Sequence, residues 1–207
     1  MSQSKIIAID GPSASGKGTI AKALAKALDY HYLDTGALYR MLGLTVQHQG
    51  LDPKDEEAIA AFAASLNPTS FHDADLRGEL VGGYASKVAV LPKVRAALLK
   101  FQRDFAKQSP GTVLDGRDIG TVVCPKADVK FYVTASVEAR AKRRFLEIPG
   151  SDFNAVKADI LARDERDHSR QVAPLKPAED AVIIDTSNIT AQQATRRCLQ
   201  VIAKSQI

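Results

Sequence analysis

One run of this 207-residue chain carries most of its legible chemistry: Gly11-Pro12-Ser13-Ala14-Ser15-Gly16-Lys17-Gly18-Thr19. Gly11 and Gly16 let the backbone turn so that several N–H groups point inward. Those groups and the start of a following helix bind phosphate oxygens. Lys17 then reaches the outer phosphates of a nucleoside triphosphate and follows their charge during transfer. A serine or threonine usually follows such a lysine. Gly18 intervenes here, so Thr19 is expected to face the Mg²⁺–nucleotide region. The run implies binding of a nucleoside triphosphate's phosphates, which alone does not name the reaction.

Weaker signals lie elsewhere. Val113-Leu114-Asp115 is an apolar run ending in an acid, which suits Mg²⁺ held directly or through water. It is also how many plain strands end. Thr35 and Arg40, in Asp34-Thr35-Gly36-Ala37-Leu38-Tyr39-Arg40, could address an anion at a helix start; an N-cap and a surface arginine is the plainer account. Arg117 and Asp118 follow Asp115-Gly116 just beyond a strand's carboxyl end, where open α/β sheets bind ligands. Arg140, Arg143 and Arg144 share one helix face by spacing. Arg163, Asp167 and Arg170 share another if their helix runs past Arg166. Charge runs are usually solvated faces. Downstream of a phosphate loop, arginines on a mobile lid also steady a phosphoryl group in flight.

These residues need a scaffold. Lys5–Asp10, His31–Asp34, Thr112–Asp115, Val129–Val133 and Val182–Asp185 read as strands. Lys17–Leu28, Thr35 to about Gln49, Asp55–Leu66, Glu79–Leu91, Pro92 to about Gln108, Ser136–Phe145, Phe153–Arg166 and Thr190–Ala203 read as helices. Thr35 is the expected N-cap of its helix, Gly50 its stop, and Asn67-Pro68 a break. Strands alternating with helices predict an α/β fold on a parallel sheet.

Hydrophobic residues make up 45% of the chain and charged residues 25%, an ordinary globular balance. The net charge of +4 is spread out, unlike the basic stripe of a nucleic-acid binder. Cys124 and Cys198 fit no metal spacing and read as ordinary thiols. No signal pattern is evident at the start, and no apolar run approaches the roughly 18 residues that span a bilayer. A cytoplasmic monomer without membrane or nucleic-acid partners is expected.

Taken together, these segments resemble bacterial cytidylate kinase. The likeness covers the Gly11–Thr19 loop with its Gly-Lys-Gly-Thr variant, Asp34–Arg40, Ala85-Ser86-Lys87-Val88, Pro92-Lys93-Val94-Arg95 and Asp115–Gly120 with Thr121-Val122-Val123. It continues through Arg140–Arg144, Arg163–Arg170 and Val172-Ala173-Pro174-Leu175. The resemblance implies a P-loop NTPase fold with a five-stranded parallel core over about 1–34, 109–135 and 171–207. It implies an insert that binds the nucleoside monophosphate over about 35–108 and a lid over about 136–170, in one domain. ATP is the implied donor, with Mg²⁺, and CMP or dCMP the acceptor. Ser86, Arg95 and Asp118 would contact the cytosine; Thr35, Arg40 and Arg117 would hold the acceptor phosphate. Arg163 and Asp167 would reach the sugar, and Arg170 with Arg140 and Arg144 would steady the phosphates. Many members of that family have a longer insert with an antiparallel strand pair before Ser86, where this chain has only Pro68–Gly78. Arg77 matches an arginine of that insert, but Gly78-Glu79-Leu80 departs from the usual pattern.

The alternatives are a kinase of the same core for adenylate, thymidylate or shikimate, a nucleotide-switched binding module, or an RNA binder. The Asn-Lys-x-Asp signature of guanine switches is absent. Aromatic residues are only 6%, with no RNA-stacking pattern.

Overall fold

A computed structural model describes residues 4–66 and 79–205. Pro68–Gly78, with Arg77 and the expected break at Asn67-Pro68, lies outside the described residues. The chain divides into two compact units, Met1–Leu33 with Phe105–Ile207, and Asp34–Asp104.

The first unit is built on strands β1 (Lys5–Asp10), β2 (His31–Asp34), β3 (Gly111–Gly116), β4 (Val129–Thr134) and β5 (Val182–Asp185). Their order in the sheet is β2-β3-β1-β4-β5. Central β1 runs parallel to β3, from Lys5 against Gly111 to Asp10 against Gly116. It also runs parallel to β4, from Ile7 against Val129 to Asp10 against Tyr132. β4 in turn pairs parallel to β5. All six residues of β3 are buried, as expected of a strand covered on both faces. Helices α1 (Lys17–Leu28) and α8 (Ala191–Lys204) supply cover. Ile20, Leu24, Ala194, Cys198 and Ile202 pack with Ile7, Ile9, Val113, Phe131, Val133 and Ile184 in one core. Thr190 and Gln193 close a capping box at the start of α8. Cys124 and Cys198 are both buried, and burial pushes the Cys198 thiol up to about 12, so it serves as packing.

Helices α6 (Val137–Glu147) and α7 (Phe153–Ser169) meet through Ala141, Val156 and Ile160. Ser136 and Asp152 cap them, each accepting an N–H from three residues on. The helix α7 runs past Arg166, so Arg163 and Asp167 share its face as the spacing requires. It stops at Ser169, and Arg170 is its C-cap, with φ −55° and ψ 131°. Arg170 is therefore presented from a loop start, not from a third turn of that face.

The second unit holds α2 (Thr35–Gln49), α3 (Glu56–Ala64), α4 (Glu79–Val88) and most of α5 (Pro92–Phe105). Leu38, Leu42, Ile59, Val88, Val94 and Leu98 form its core. At Gly43 a Cβ would lie 2.8 Å from the Ala85 nitrogen and 3.1 Å from the Val81 oxygen. Only glycine allows α2 and α4 to approach this closely. The expected N-cap Thr35 is instead the first helical residue. Asp34 caps α2, accepting the Ala37 N–H at 3.0 Å, because a carboxylate in extended backbone both accepts that bond and meets the positive end of the helix. Gly50 ends α2 in the left-handed conformation, φ 64°. Among the described residues, no helix is long and apolar enough to cross a membrane.

Candidate active site

In a parallel sheet every strand delivers its carboxyl end to the same edge, and β1 delivers the glycine-rich run there. A Cβ at Gly11 would sit 2.0 Å from the Val133 carbonyl oxygen, so any side chain would displace the loop from β4. Ala14 (φ 56°) and Gly16 (φ 86°) take the left-handed conformation, folding the loop back before α1 begins at Lys17. The Lys17 ammonium donates to the Pro12 carbonyl at 3.3 Å across the loop.

The loop's carbonyls are tied from outside. Ser13 O accepts from Arg140 Nη1 at 3.3 Å. Ser15 O accepts from the Thr186 hydroxyl at 2.8 Å and from Arg143 Nη1 at 3.5 Å. The C=O and N–H of one trans peptide point opposite ways. Holding these two carbonyls therefore turns the N–H groups of Ala14 and Gly16 to the other side, where an anion would be met.

Arg140 is only 3% exposed. Asp164 on α7 grips both of its terminal nitrogens, at 2.9 and 2.6 Å, and Ala135 O accepts from its Nε. Arg143 also donates to the Thr186 hydroxyl at 2.9 Å. Both arginines of the expected mobile cluster are thus fastened to the phosphate loop and the ends of β4 and β5. The third, Arg144, pairs with Glu147.

The buried Asp115, near the end of β3, accepts the Tyr32 hydroxyl at 2.9 Å. A Cβ at Gly18 would lie 3.5 Å from its Oδ2. The glycine after Lys17 thus lies directly beside a carboxylate. Thr19 sits one residue further round the helix and is exposed. Among the described residues, no group of three or more His, Cys, Asp or Glu is placed to hold a metal, so a cation here would rely on Asp115, the Thr19 hydroxyl, water and phosphate oxygens.

Beyond β3, Arg117 Nε meets Asp167 Oδ2 at 2.6 Å. Burial pushes the Asp167 carboxyl up, but the charge and hydrogen bond of Arg117, with Arg170 and Lys17 behind, outweigh it and leave it below its ordinary range. Arg170 is buried, and its Nε donates to Asp167 O. Arg163 pairs with Asp159 at 2.9 Å. Burial lowers the Arg163 pKa, with Arg144, Arg117 and Arg166 adding repulsion against the pull of Asp159. The structure thus gathers Lys17, Arg117, Asp167 and Arg170, with Arg163 and Arg144 nearby: a cationic cluster around one acid, suited to a polyanion. Asp118 is buried beside them and starts a π-helical turn, Ile119–Val123.

In the second unit Arg40 pairs with Asp34 at 2.6 Å. Gly36 makes room, since a Cβ there would stand 3.1 Å from both side chains. Thr35 is buried, and Ser86 lies half-buried on α4. Arg95, 8% exposed, donates to Ala89 O at 3.2 Å and stacks its guanidinium 5.8 Å from the Tyr39 ring centre.

Residues that sequence spacing did not single out also shape the site: Asp10, Tyr32, Asp34, Asp164 and Thr186. Asp10 stands directly before the glycine-rich run, and Asp34 opens the Asp34–Arg40 run. Asp164 and Thr186 carried no local signal, since their partners are 24 and 171 residues away.

The family model described as Cytidylate kinase matches residues 7–204. The chain is 52% identical over 206 residues to the cytidylate kinase of Paramagnetospirillum magneticum, covering 96% of this chain and 98% of that one. It is 52% identical over 210 residues to the cytidylate kinase of Rhodospirillum rubrum, covering 97% and 99%. Among solved structures, an uncharacterized protein from Eubacterium ventriosum aligns with TM-score 0.60 at 14% identity, over 97% of this chain and 99% of that one. A gluconokinase from Sinorhizobium meliloti aligns with TM-score 0.51 at 15% identity, over 99% and 94%. At such identities these two speak for the fold alone.

Proposed function

The chain belongs to the cytidylate kinase family, and on that footing we propose that it transfers the γ-phosphoryl of ATP to CMP or dCMP, giving CDP or dCDP and ADP. The observation that carries this reading is one shared edge. There β1 delivers the phosphate loop, and β3 delivers Asp115, Arg117 and Asp118 to the Lys17–Asp167–Arg170 cluster.

In the transfer, a phosphate oxygen of the acceptor bonds to the γ-phosphorus, and the bond from that phosphorus to the β–γ bridging oxygen breaks. Lys17 and the N–H groups of Gly11–Thr19 hold the donor phosphates and stabilise the charge that shifts between them. Arg140 acts on the donor by fixing the Ser13 carbonyl. Arg117 and Arg170 face the transferred group, with Asp167 holding Arg117 in place; Arg163 and Asp167 reach the sugar, and Arg144 serves the phosphates. The segment 136–170 covers the donor phosphates as a lid and excludes water, with Arg140 and Arg143 already fastened to the loop. Thr35, Arg40 and Arg117 hold the acceptor phosphate, and Ser86, Arg95 and Asp118 read the cytosine. Mg²⁺ neutralises donor phosphate charge when bound, and Asp115 and Thr19 are the residues that would hold it. The enzyme works as a cytoplasmic monomer.

Asp118 confers the base choice. Cytosine presents a 4-amino donor where uracil presents an oxygen, so a carboxylate attracts one and repels the other. An ADP-release assay over CMP, dCMP, UMP, AMP, dTMP and shikimate tests the reading. CMP and dCMP should lead, with UMP down by on the order of a hundredfold in kcat/KM. Equal turnover of UMP, or none of CMP, would overturn it.

A further inference from the structure

The first N–H groups of a helical turn have no acceptor within the turn, and an aspartate at its start ordinarily takes one of them. Asp118 stands at the start of the π turn Ile119–Val123, with φ −147° and ψ 26°, yet its side chain makes no capping bond. Asp10 does that work from another strand. Its Oδ1 accepts the Ile119 N–H at 2.7 Å and its Oδ2 the Gly120 N–H at 2.8 Å. Asp10 is the last residue of β1, is 3% exposed, and immediately precedes the phosphate loop.

Gly120 packs closely between Asp10 and Lys130. A Cβ there would lie 3.4 Å from Asp10 Oδ2 and 3.1 Å from the Lys130 stem, whose ammonium is anchored on Pro125 O and Asp180. The turn itself hangs on the Asp118 carbonyl, which accepts the N–H groups of Val122 and Val123. Where Asp10 holds the turn therefore decides where the chain stands at Asp118 and, one residue earlier, at Arg117.

We propose that Asp10 is a positioning residue for the acceptor nucleotide: it clamps the π turn that follows Arg117 and Asp118, so that the Asp118 carboxylate faces the base and not its own helix start. This rests on the reading of Arg117 and Asp118 as acceptor-binding residues. The placement is costly, since burial pushes the Asp10 carboxyl up to about 6 despite the two backbone bonds.

The test is steady-state kinetics of the full chain carrying Asp10→Asn or Gly120→Ala, with ATP, CMP and UMP each varied. The asparagine keeps the size but sets an amide N–H₂ against one backbone N–H. It should raise KM for CMP about tenfold and lower the CMP-to-UMP preference by about as much, with KM for ATP changed less than about twofold. Gly120→Ala, which presses on the anchored Lys130 stem and brings a methyl into contact with Asp10 without removing it, should move the same quantities the same way by less. It decides the matter alone if Asp10→Asn does not fold. A lowered Tm with CMP affinity and base preference both unmoved assigns Asp10 a merely structural role and overturns the proposal. A rise in KM for ATP equal to or larger than that for CMP assigns it to the phosphate loop, and overturns it too. Wild type inactive on CMP would sink the acceptor reading and this proposal together; active wild type with unmoved variants sinks this proposal alone.

Discussion

Arg140–Asp164 in the first unit and Lys93–Glu57 in the second are both cation–carboxylate pairs, but their surroundings differ. The side chains of the first are 4% and 17% exposed, those of the second 56% and 76%. The contrast extends beyond them. Arg117–Asp167 is largely buried beside Lys17, whereas Lys100–Asp104 lies on an open helix face. Around the phosphate loop, charges are desolvated, tied to backbone carbonyls and held in one arrangement. In a low-dielectric setting such charges act strongly on a ligand and need no reorganisation when the ligand's charge shifts. In the second unit, apart from the half-buried Arg40–Asp34 pair, the ionic contacts among the described residues are solvated and contribute little to holding a shape. The lesson is that the glycine-rich loop is braced by buried charge, while the second unit is held by its apolar core.

The sharpest way to break the comparison is Asp164→Ala. It strands the Arg140 guanidinium in a buried position and loosens its hold on the Ser13 carbonyl. Losing one partner of a buried pair costs about 3–5 kcal/mol; partial exposure of Asp164 puts the expectation at the lower end. Urea unfolding should show that loss, and KM for ATP should rise with it. A loss below about 1 kcal/mol would put this pair in the same class as Lys93–Glu57 and erase the contrast.

Asp10 sharpens the same contrast through pH. Its carboxyl is raised from 3.8 to about 6, first by burial and then by the charge of Asp118, against two backbone bonds and Arg117. The folded pKa lies above the unfolded one. Its contribution to stability is therefore full below about pH 4 and is lost as pH rises through about 6, a change of roughly 2–3 kcal/mol. Asp10→Asn does not titrate. Relative to wild type, it should gain about that much between pH 4 and pH 7 in chemical denaturation, whatever fixed penalty its altered hydrogen bonding brings. A gap between the two proteins that stays constant with pH would mean that Asp10 ionises like a surface acid.

The five strands and the phosphate loop were legible because their signals are local: apolar runs of strand length, and glycines at positions where the backbone must turn or pass close. Gly11 against Val133 is such a case. The braces were not legible, because each is a meeting of residues far apart in sequence. Nothing near Thr186 announces that its hydroxyl will hold Ser15 O, and nothing near Asp164 announces Arg140. The helical spacing of Arg140, Arg143 and Arg144 was real, but spacing cannot say whether a face looks at solvent or at a loop carbonyl. Thr35 as N-cap failed for a subtler reason. Asp34 and Thr35 are both good caps, and the choice fell to the residue at which β2 ends, leaving Thr35 to be buried.

The smallest predicted effect separates two adjacent glutamates in the second unit. Glu57 pairs with the Lys93 ammonium at the surface, whereas Glu56 accepts the Lys93 backbone N–H at 2.6 Å. Lys93 is the second residue of α5, after Pro92, so its N–H has no acceptor within that helix. Glu56 thus caps α5 from the first turn of α3, much as a local N-cap side chain would. Glu56→Ala should cost about 1 kcal/mol, as lost caps do. Glu57→Ala should cost no more than about 0.5 kcal/mol, because two solvated side chains gain little by meeting. Thermal unfolding of the two variants in low and high salt distinguishes them further. Salt should erase what little Glu57 contributes and leave most of the Glu56 effect, since a hydrogen bond to a helix N–H is screened less than a surface ion pair. Equal costs, or a Glu57 effect that survives high salt, would show that the exposed pair holds the second unit after all, and the distinction between the two units would then rest on burial alone and not on what their charges do.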